Sequence, residues 1–211
     1  KCQITKGGRS SRLQPASSGV HFKKLSAMVV GLTGGIGSGK TTVAQLFSIL
    51  DIPIYSADDR AKRILGTDKE VQDKVKVIFG ANSIVNGVVN RKLIAKASFG
   101  NKEKLERLNA VIHPAVAEDF ANWKKENEQA EYLIKEAAIL FESGSYVGCD
   151  KIILVCSPLE TRIERVMKRD SASRVEVESR ISNQWPEDKK RFLSDYIVLN
   201  DEKSSLIKQA V

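Results

Sequence analysis

The sequence predicts an α/β fold built on a parallel sheet of five strands flanked by helices. Three observations carry this. Short apolar runs alternate with longer stretches of helical period, the pattern of a parallel sheet covered on both faces. A glycine-rich segment, Gly34-Gly35-Ile36-Gly37-Ser38-Gly39-Lys40-Thr41, follows the first apolar run directly. The second and third runs are separated by about seventy-five residues, against the dozen or so that a simple crossover needs.

The expected strands are residues 28–32, 52–55, 132–135, 151–156 and 196–199, each short and apolar as strands buried on both faces are. After the first strand and the glycine-rich turn, Val43, Ala44, Leu46, Phe47 and Leu50 recur at helical spacing. In the long gap Val71, Val75, Ile78 and Phe79 mark one helix. Leu105, Leu108, Val111 and Ile112 mark another that Pro114 stops, and residues 115–127 mark a third. No strong buried strand is visible in this gap, so residues 59–130 read as a helical insertion beside the sheet. Residues 160–190 are highly charged with helical period, and 169–174 form a turn between two helices.

The net charge of +8 points toward nucleic acid, but its distribution points away. Six of the 34 lysines and arginines lie in residues 1–27, which hold no acid, so 28 basic face 26 acidic residues from Met28 on. Aromatic content of 6% offers few base-stacking platforms. No nucleic-acid partner is therefore expected for the body of the chain. The Ser-, Gly- and Lys-rich leader at 1–27 has no hydrophobic region of a secretory signal. It is an extension upstream of a start at Met28, an organellar presequence, or a disordered tail, with the first preferred because the opening strand begins at Met28. The folded domain is expected to occupy 28–211. The longest apolar runs, such as 137–141, are far too short to cross a membrane. Cys2, Cys149 and Cys156 have no metal-site spacing and suit a reducing, cytoplasmic compartment.

The glycine-rich turn between a strand and a helix aims backbone N–H groups at one point, at the positive end of a helix dipole. Residues Gly35, Ile36, Gly37, Ser38, Gly39, Lys40, Thr41 and Thr42 are the expected triphosphate site. Lys40 supplies a point charge for the β- and γ-phosphates, and the Thr41 hydroxyl is a ligand for Mg²⁺. Asp58 and Asp59 follow the second strand at the same carboxyl edge of the sheet, where ligands gather. There a carboxylate orients or deprotonates an attacking hydroxyl, holds Mg²⁺ through water, or caps the helix that starts at this point. Glu136 ends the third strand at that edge and either acts at Mg²⁺ or on the substrate, or simply terminates a strand. Arg162, Arg165, Arg169, Arg174 and Arg180 form a solvated helix face or an arginine-bearing lid; the triphosphate loop favours the lid, with Arg169 and Arg174 at its tip. His113, before Pro114, reads as structural from its position alone.

Other users of a triphosphate loop are disfavoured. No guanine-reading N-K-x-D is present, since Asn101-Lys102-Glu103-Lys104 lacks the Asp, and there is no D-x-x-G switch or L-S-G-G-Q segment. A small-molecule kinase with a P-loop nucleoside-kinase-like fold remains. From residue 28 onward the chain resembles the dephospho-CoA kinases. The resemblance is carried by Thr33-Gly34-Gly35-Ile36-Gly37-Ser38-Gly39-Lys40, Ala57-Asp58-Asp59-Arg60-Ala61-Lys62, Ile112-His113-Pro114, Glu136-Ala137-Ala138-Ile139-Leu140-Phe141-Glu142, and the stretch from Arg165 through Arg174 to Gln184. It implies ATP-dependent phosphorylation of the 3′-hydroxyl of dephospho-CoA, the last step of coenzyme A synthesis. It implies Asp58 as the base-like carboxylate, His113 in a substrate-side motif, and Arg91 as a basic residue near the acceptor. Two departures stand out: the family's D-A-D is Ser56-Ala57-Asp58, so a role of the first Asp is lost or passes to Asp59, and its P-L-L is Ala138-Ile139-Leu140. A nucleoside monophosphate kinase shares the loop and lid and is the runner-up. A nucleotide-binding module that contacts nucleic acid through its leader is the alternative outside enzymes.

Overall fold

The computed structural model describes residues 27–98 and 101–210. The leader expected at 1–27 lies outside the described residues except for Ala27, which is buried. In chain order the elements are β1 (Met28–Gly34), α1 (Lys40–Ile49), β2 (Ile54–Ser56), α2 (Ala57–Thr67), α3 (Lys69–Phe79), β3 (Ile84–Val85), β4 (Val88–Val89), α4 (Arg91–Ser98) and α5 (Lys102–Glu126). They continue with β5 (Tyr132–Glu136), β6 (Lys151–Cys156), α6 (Leu159–Asp170), α7 (Arg174–Ser182), α8 (Glu187–Phe192), β7 (Tyr196–Leu199) and α9 (Leu206–Ala210).

Five strands form one parallel sheet in the order β2-β5-β1-β6-β7, with β1 at its centre. Alternation along β1 sends Val30 and Leu32 to one face, where they pack with Val43, Ala44 and Phe47 of α1 and Ile134, Val155 and Val198 of neighbouring strands. On the other face the approach is so close that a Cβ on Gly31 would meet Leu140 and Cys149. That face is covered by Ala137, Leu140, Phe141 and Ile152, with Trp185 and Tyr146 beside them. Cys156 is buried, as a core residue. Ile52 packs against the core but does not open a strand; β2 starts at Ile54, after Pro53, which has no N–H to give a ladder.

The segment between β2 and β5 has its own core of Ile64, Val71, Val75, Ile84 and Ile94, with Leu108, Val111, Ala115 and Val116 from α5. One sequence expectation fails here. Pro114 does not end a helix: α5 runs unbroken from Lys102 to Glu126 with the proline inside. Residues on both sides of it are committed to the same contacts, and that burial outweighs the lost backbone hydrogen bond. No strong buried strand lies among the described residues of the segment, but it carries a short hairpin of two-residue strands, β3–β4, whose turn is Asn86-Gly87 with φ of 52° and 76°. Asn-Gly is the turn sequence for a two-residue hairpin and was the available signal. Asp119 fastens α5 to the sheet side. It accepts a hydrogen bond from Tyr55 Oη at 2.8 Å and pairs with Arg63 at 3.0 Å. Phe120 meets the Tyr55 ring edge-on at 4.9 Å.

Helices α6 and α7 pack on each other through Ile163, Val166 and Val177, and Ile36 of the glycine-rich loop joins that cluster. The turn between them falls where the sequence placed it. Ser171 closes α6 in the left-handed conformation, and Ser173 opens α7 with a reciprocal capping box to Glu176. Glu176 is thereby engaged at the cap, and Arg180 pairs with Asp170 at 2.7 Å.

Candidate active site

The loop between β1 and α1 is bent by glycines that side chains could not replace. Gly37 and Gly39 have φ of 78° and 91°, and Gly39 is the cap of α1. A Cβ on Gly35 would collide with the Arg162 guanidinium, and one on Gly39 with the Asn200 amide. Three long-range bonds hold the loop. Gln184 Oε1 accepts from Ile36 N at 2.8 Å, Arg162 Nε donates to Ile36 O at 3.0 Å, and Asn200 Nδ2 donates to Ser38 O at 2.8 Å. The loop is thus fixed from the lid side and from the end of β7 before any ligand arrives.

A cavity of about 790 Å³ opens over this loop. Ile36, Gly37, Lys40 and Thr41 line it, as do Asp58, Asp59 and Glu136. Gly35 faces a smaller neighbouring cavity with Arg162. Ser38 is buried, and Gly39 and Thr42 lie off the cavity wall. Lys40 Nζ donates to Gly34 O at 3.1 Å. Its pKa is lowered by burial, an effect opposed by the carboxylates of Glu136 and Asp58. Glu136 shows the mirror image: burial raises its pKa, and Lys40 pulls it back. A polyanion arriving at Lys40 favours the charged form of the lysine.

Asp58 and Asp59 occupy the first turn of α2, with Ser56 rather than either of them at the cap position and making no side-chain cap bond, and the positive helix end favours both carboxylates. Asp58 Oδ2 accepts from Ala138 N at 3.4 Å. Asp59 is pulled outward by Lys62 at 2.7 Å, which lowers its pKa. A second cavity, of about 340 Å³, lies between α2, α5 and the segment after β5. Asp58 and Ile139 line both cavities, so the two spaces meet at that carboxylate. His113 lines the second cavity, and partial desolvation lowers its pKa.

Of the lid arginines, Arg169 lines the first cavity, and so does Arg180. Arg169 is held by Asp170 at 2.7 Å. Arg174 lies off the cavity wall, in a two-bond pair with Glu160 at 2.8 and 2.9 Å and in a third contact with Glu178 at 2.7 Å. Arg91 is exposed at the start of α4 and lines neither cavity. Sequence reading assigned no role to Gln184, Asn200 or Lys135. Asn200 follows the last strand at the carboxyl edge, a position that could have flagged it.

The cavity's donor set is hard oxygen: the Thr41 hydroxyl and the carboxylates of Asp58, Asp59 and Glu136. Among the described residues no group of three or more His, Cys, Asp and Glu side chains could hold a metal alone. That combination suits a cation bound mainly by phosphates and completed by one or two protein oxygens, as Mg²⁺ is. No helix among the described residues is long and apolar enough to cross a membrane.

Comparison with known proteins agrees with this geometry. A family model described as dephospho-CoA kinase matches residues 28–205. The chain is 34% identical over 183 residues to a dephospho-CoA kinase of Bacteroides fragilis, covering 87% of this chain and 89% of the relative. It is 38% identical over 179 residues to a dephospho-CoA kinase of Fusobacterium nucleatum, covering 84% and 91%. The crystal structure of TT1252 from Thermus thermophilus superposes with a TM-score of 0.78 at 32% identity, covering 88% of this chain and 94% of that one. With a phosphate loop, an edge carboxylate and a second cavity on one sheet edge, and with these relatives over most of its length, the chain belongs to the dephospho-CoA kinase family.

Proposed function

We propose that this kinase transfers the γ-phosphoryl group of ATP to the 3′-hydroxyl of dephospho-CoA, giving coenzyme A and ADP. The observation that carries the reading is the position of Asp58 on the shared wall of the two cavities. A donor triphosphate over the loop and an acceptor in the second cavity meet at that carboxylate. Asp58 accepts the proton of the attacking hydroxyl, or orients it, as the first-turn position in α2 allows. Lys40 and the loop N–H groups stabilise the charge on the transferring group. Arg169, with Arg180 across the Asp170 carboxylate, adds positive charge from the lid and excludes water as α6 and α7 close. Thr41 with Asp58 or Glu136, the latter two through water, would hold Mg²⁺, which when bound neutralises phosphate charge.

The helical segment at 59–130 serves as the acceptor wall and residues 160–190 as the lid. His113 contacts the acceptor from α5. Arg174 stays with Glu160 and Glu178, off the cavity wall, and takes no direct part in the transfer, while Arg91 acts only after rearrangement. The reading is tested by ADP release with dephospho-CoA as acceptor, set against AMP, GMP and CMP. Turnover with dephospho-CoA supports it, and faster turnover with a nucleoside monophosphate overturns it.

A further inference from the structure

Lys135 and Glu136 are adjacent on β5, and strand alternation points them to opposite faces of the sheet. Glu136 lines the larger cavity and Lys135 the smaller. Lys135 is only 9% exposed. Its ammonium lies 4.6 Å from the centroid of Phe120, with the Cys149 thiol nearby, and among the described residues no carboxylate pairs with it. Burial lowers its pKa. A buried cation without a counter-ion destabilises a fold, and an apolar residue would satisfy this strand position better. The remaining lining of the cavity is mostly apolar, with Ile112 and Val116 from α5 and Ala61 from α2. In such surroundings an arriving anion meets an unscreened charge.

We propose that Lys135 is the anion-recognition residue of the acceptor cavity, binding the diphosphate that joins the acceptor's adenosine to its pantetheine arm. The assignment rests on the reading of dephospho-CoA as acceptor. The 3′-hydroxyl is fixed at Asp58, and the same ribose carries the diphosphate on its 5′ carbon. The diphosphate therefore lies within a sugar's length of Asp58, in the cavity that Asp58 and Lys135 both line. The face of Phe120 holds the ammonium in place without neutralising it.

The test compares dephospho-CoA with adenosine, which has the same 3′-hydroxyl and no diphosphate. In Lys135→Met the KM for dephospho-CoA is expected to rise about 10- to 100-fold, the loss of a hydrogen bond to a charged group. The KM for ATP stays at the wild-type value, and the preference for dephospho-CoA over adenosine, as a ratio of kcat/KM, falls by the same factor. Lys135→Arg restores most of the preference. The thermal midpoint of Lys135→Met is expected at or above that of wild type, because a buried charge has gone; Lys135→Gln carries the comparison if the methionine variant does not fold. An unchanged preference, or an equal loss with both acceptors, overturns the assignment of Lys135 alone. Absence of wild-type turnover with dephospho-CoA overturns the functional reading and this assignment with it.

Discussion

The Ser56 hydroxyl stands 3.1 Å from Oε2 of Glu136 and 3.1 Å from Oδ2 of Asp59. With one proton to donate, it serves one of the two carboxylates at a time. This is the position where the resemblance to the dephospho-CoA kinases implies the first Asp of a D-A-D motif. A neutral hydroxyl here reduces like-charge crowding around Glu136, whose carboxyl is already raised in pKa by burial and by the nearby Asp58.

That raised pKa has a stability consequence of definite sign. Between the ordinary carboxyl value of 4.5 and the higher native value, the folded chain binds more protons than the unfolded chain. Stability is therefore lost as pH rises through this window. Glu136→Gln removes the effect. Thermal midpoints of the two proteins, followed from below pH 4.5 upward, are expected to separate in favour of the variant as pH rises. A wild type that gains on the variant over that range contradicts the assignment.

Asp58→Asn keeps the shape of the shared wall but cannot take a proton. Its kcat is expected to fall by roughly 10²–10⁴, the usual contribution of a positioned general base. ATP affinity, measured by calorimetry without acceptor, stays near wild type because Lys40 and the loop are untouched. Full activity in this variant assigns the base elsewhere.

The lid arginines separate by position. Arg169→Ala removes a cation that lines the donor cavity and is expected to lower kcat by about 10². Arg174→Ala breaks exposed contacts to Glu160 and Glu178 and is expected to leave kcat close to wild type in steady-state assays. A large kcat loss in Arg174→Ala shows that the lid exchanges those partners during turnover.

Gln184 joins the lid side to the phosphate loop through Ile36 N and to the segment after β5 through Ala138 O. Gln184→Leu leaves the loop N–H without its acceptor, at a cost of roughly 1–3 kcal/mol. A lower thermal midpoint together with a raised KM for ATP is expected. A change in the acceptor's KM alone contradicts this placement.

Much of this site's framework is legible in the sequence. Parallel strands buried on both faces read as apolar runs, and the glycine-rich turn marked the sheet edge at which the larger cavity opens. Asp58 and Glu136 could be placed because each ends or follows a strand at that edge. Contacts distant in sequence could not be read: Ile36 and Gln184 are 148 residues apart, and nothing local to either announces the bond. Pro114 misled because helix continuation there depends on tertiary burial of Val111, Ala115 and Val116, which local rules do not see. Lys135 was invisible because a lysine in a short apolar strand looks like its exposed end, whereas its ammonium lies inward over Phe120.

The central claim is that the two cavities hold ATP and dephospho-CoA with Asp58 between them. It is tested most directly by mixing the protein with ATP, Mg²⁺ and dephospho-CoA and locating the new phosphate by ³¹P NMR. A 3′-phosphomonoester formed at one equivalent per ADP, and absent in Asp58→Asn on the same timescale, is the expected result. A phosphate on any other oxygen, or ADP released without a phosphorylated acceptor, contradicts it.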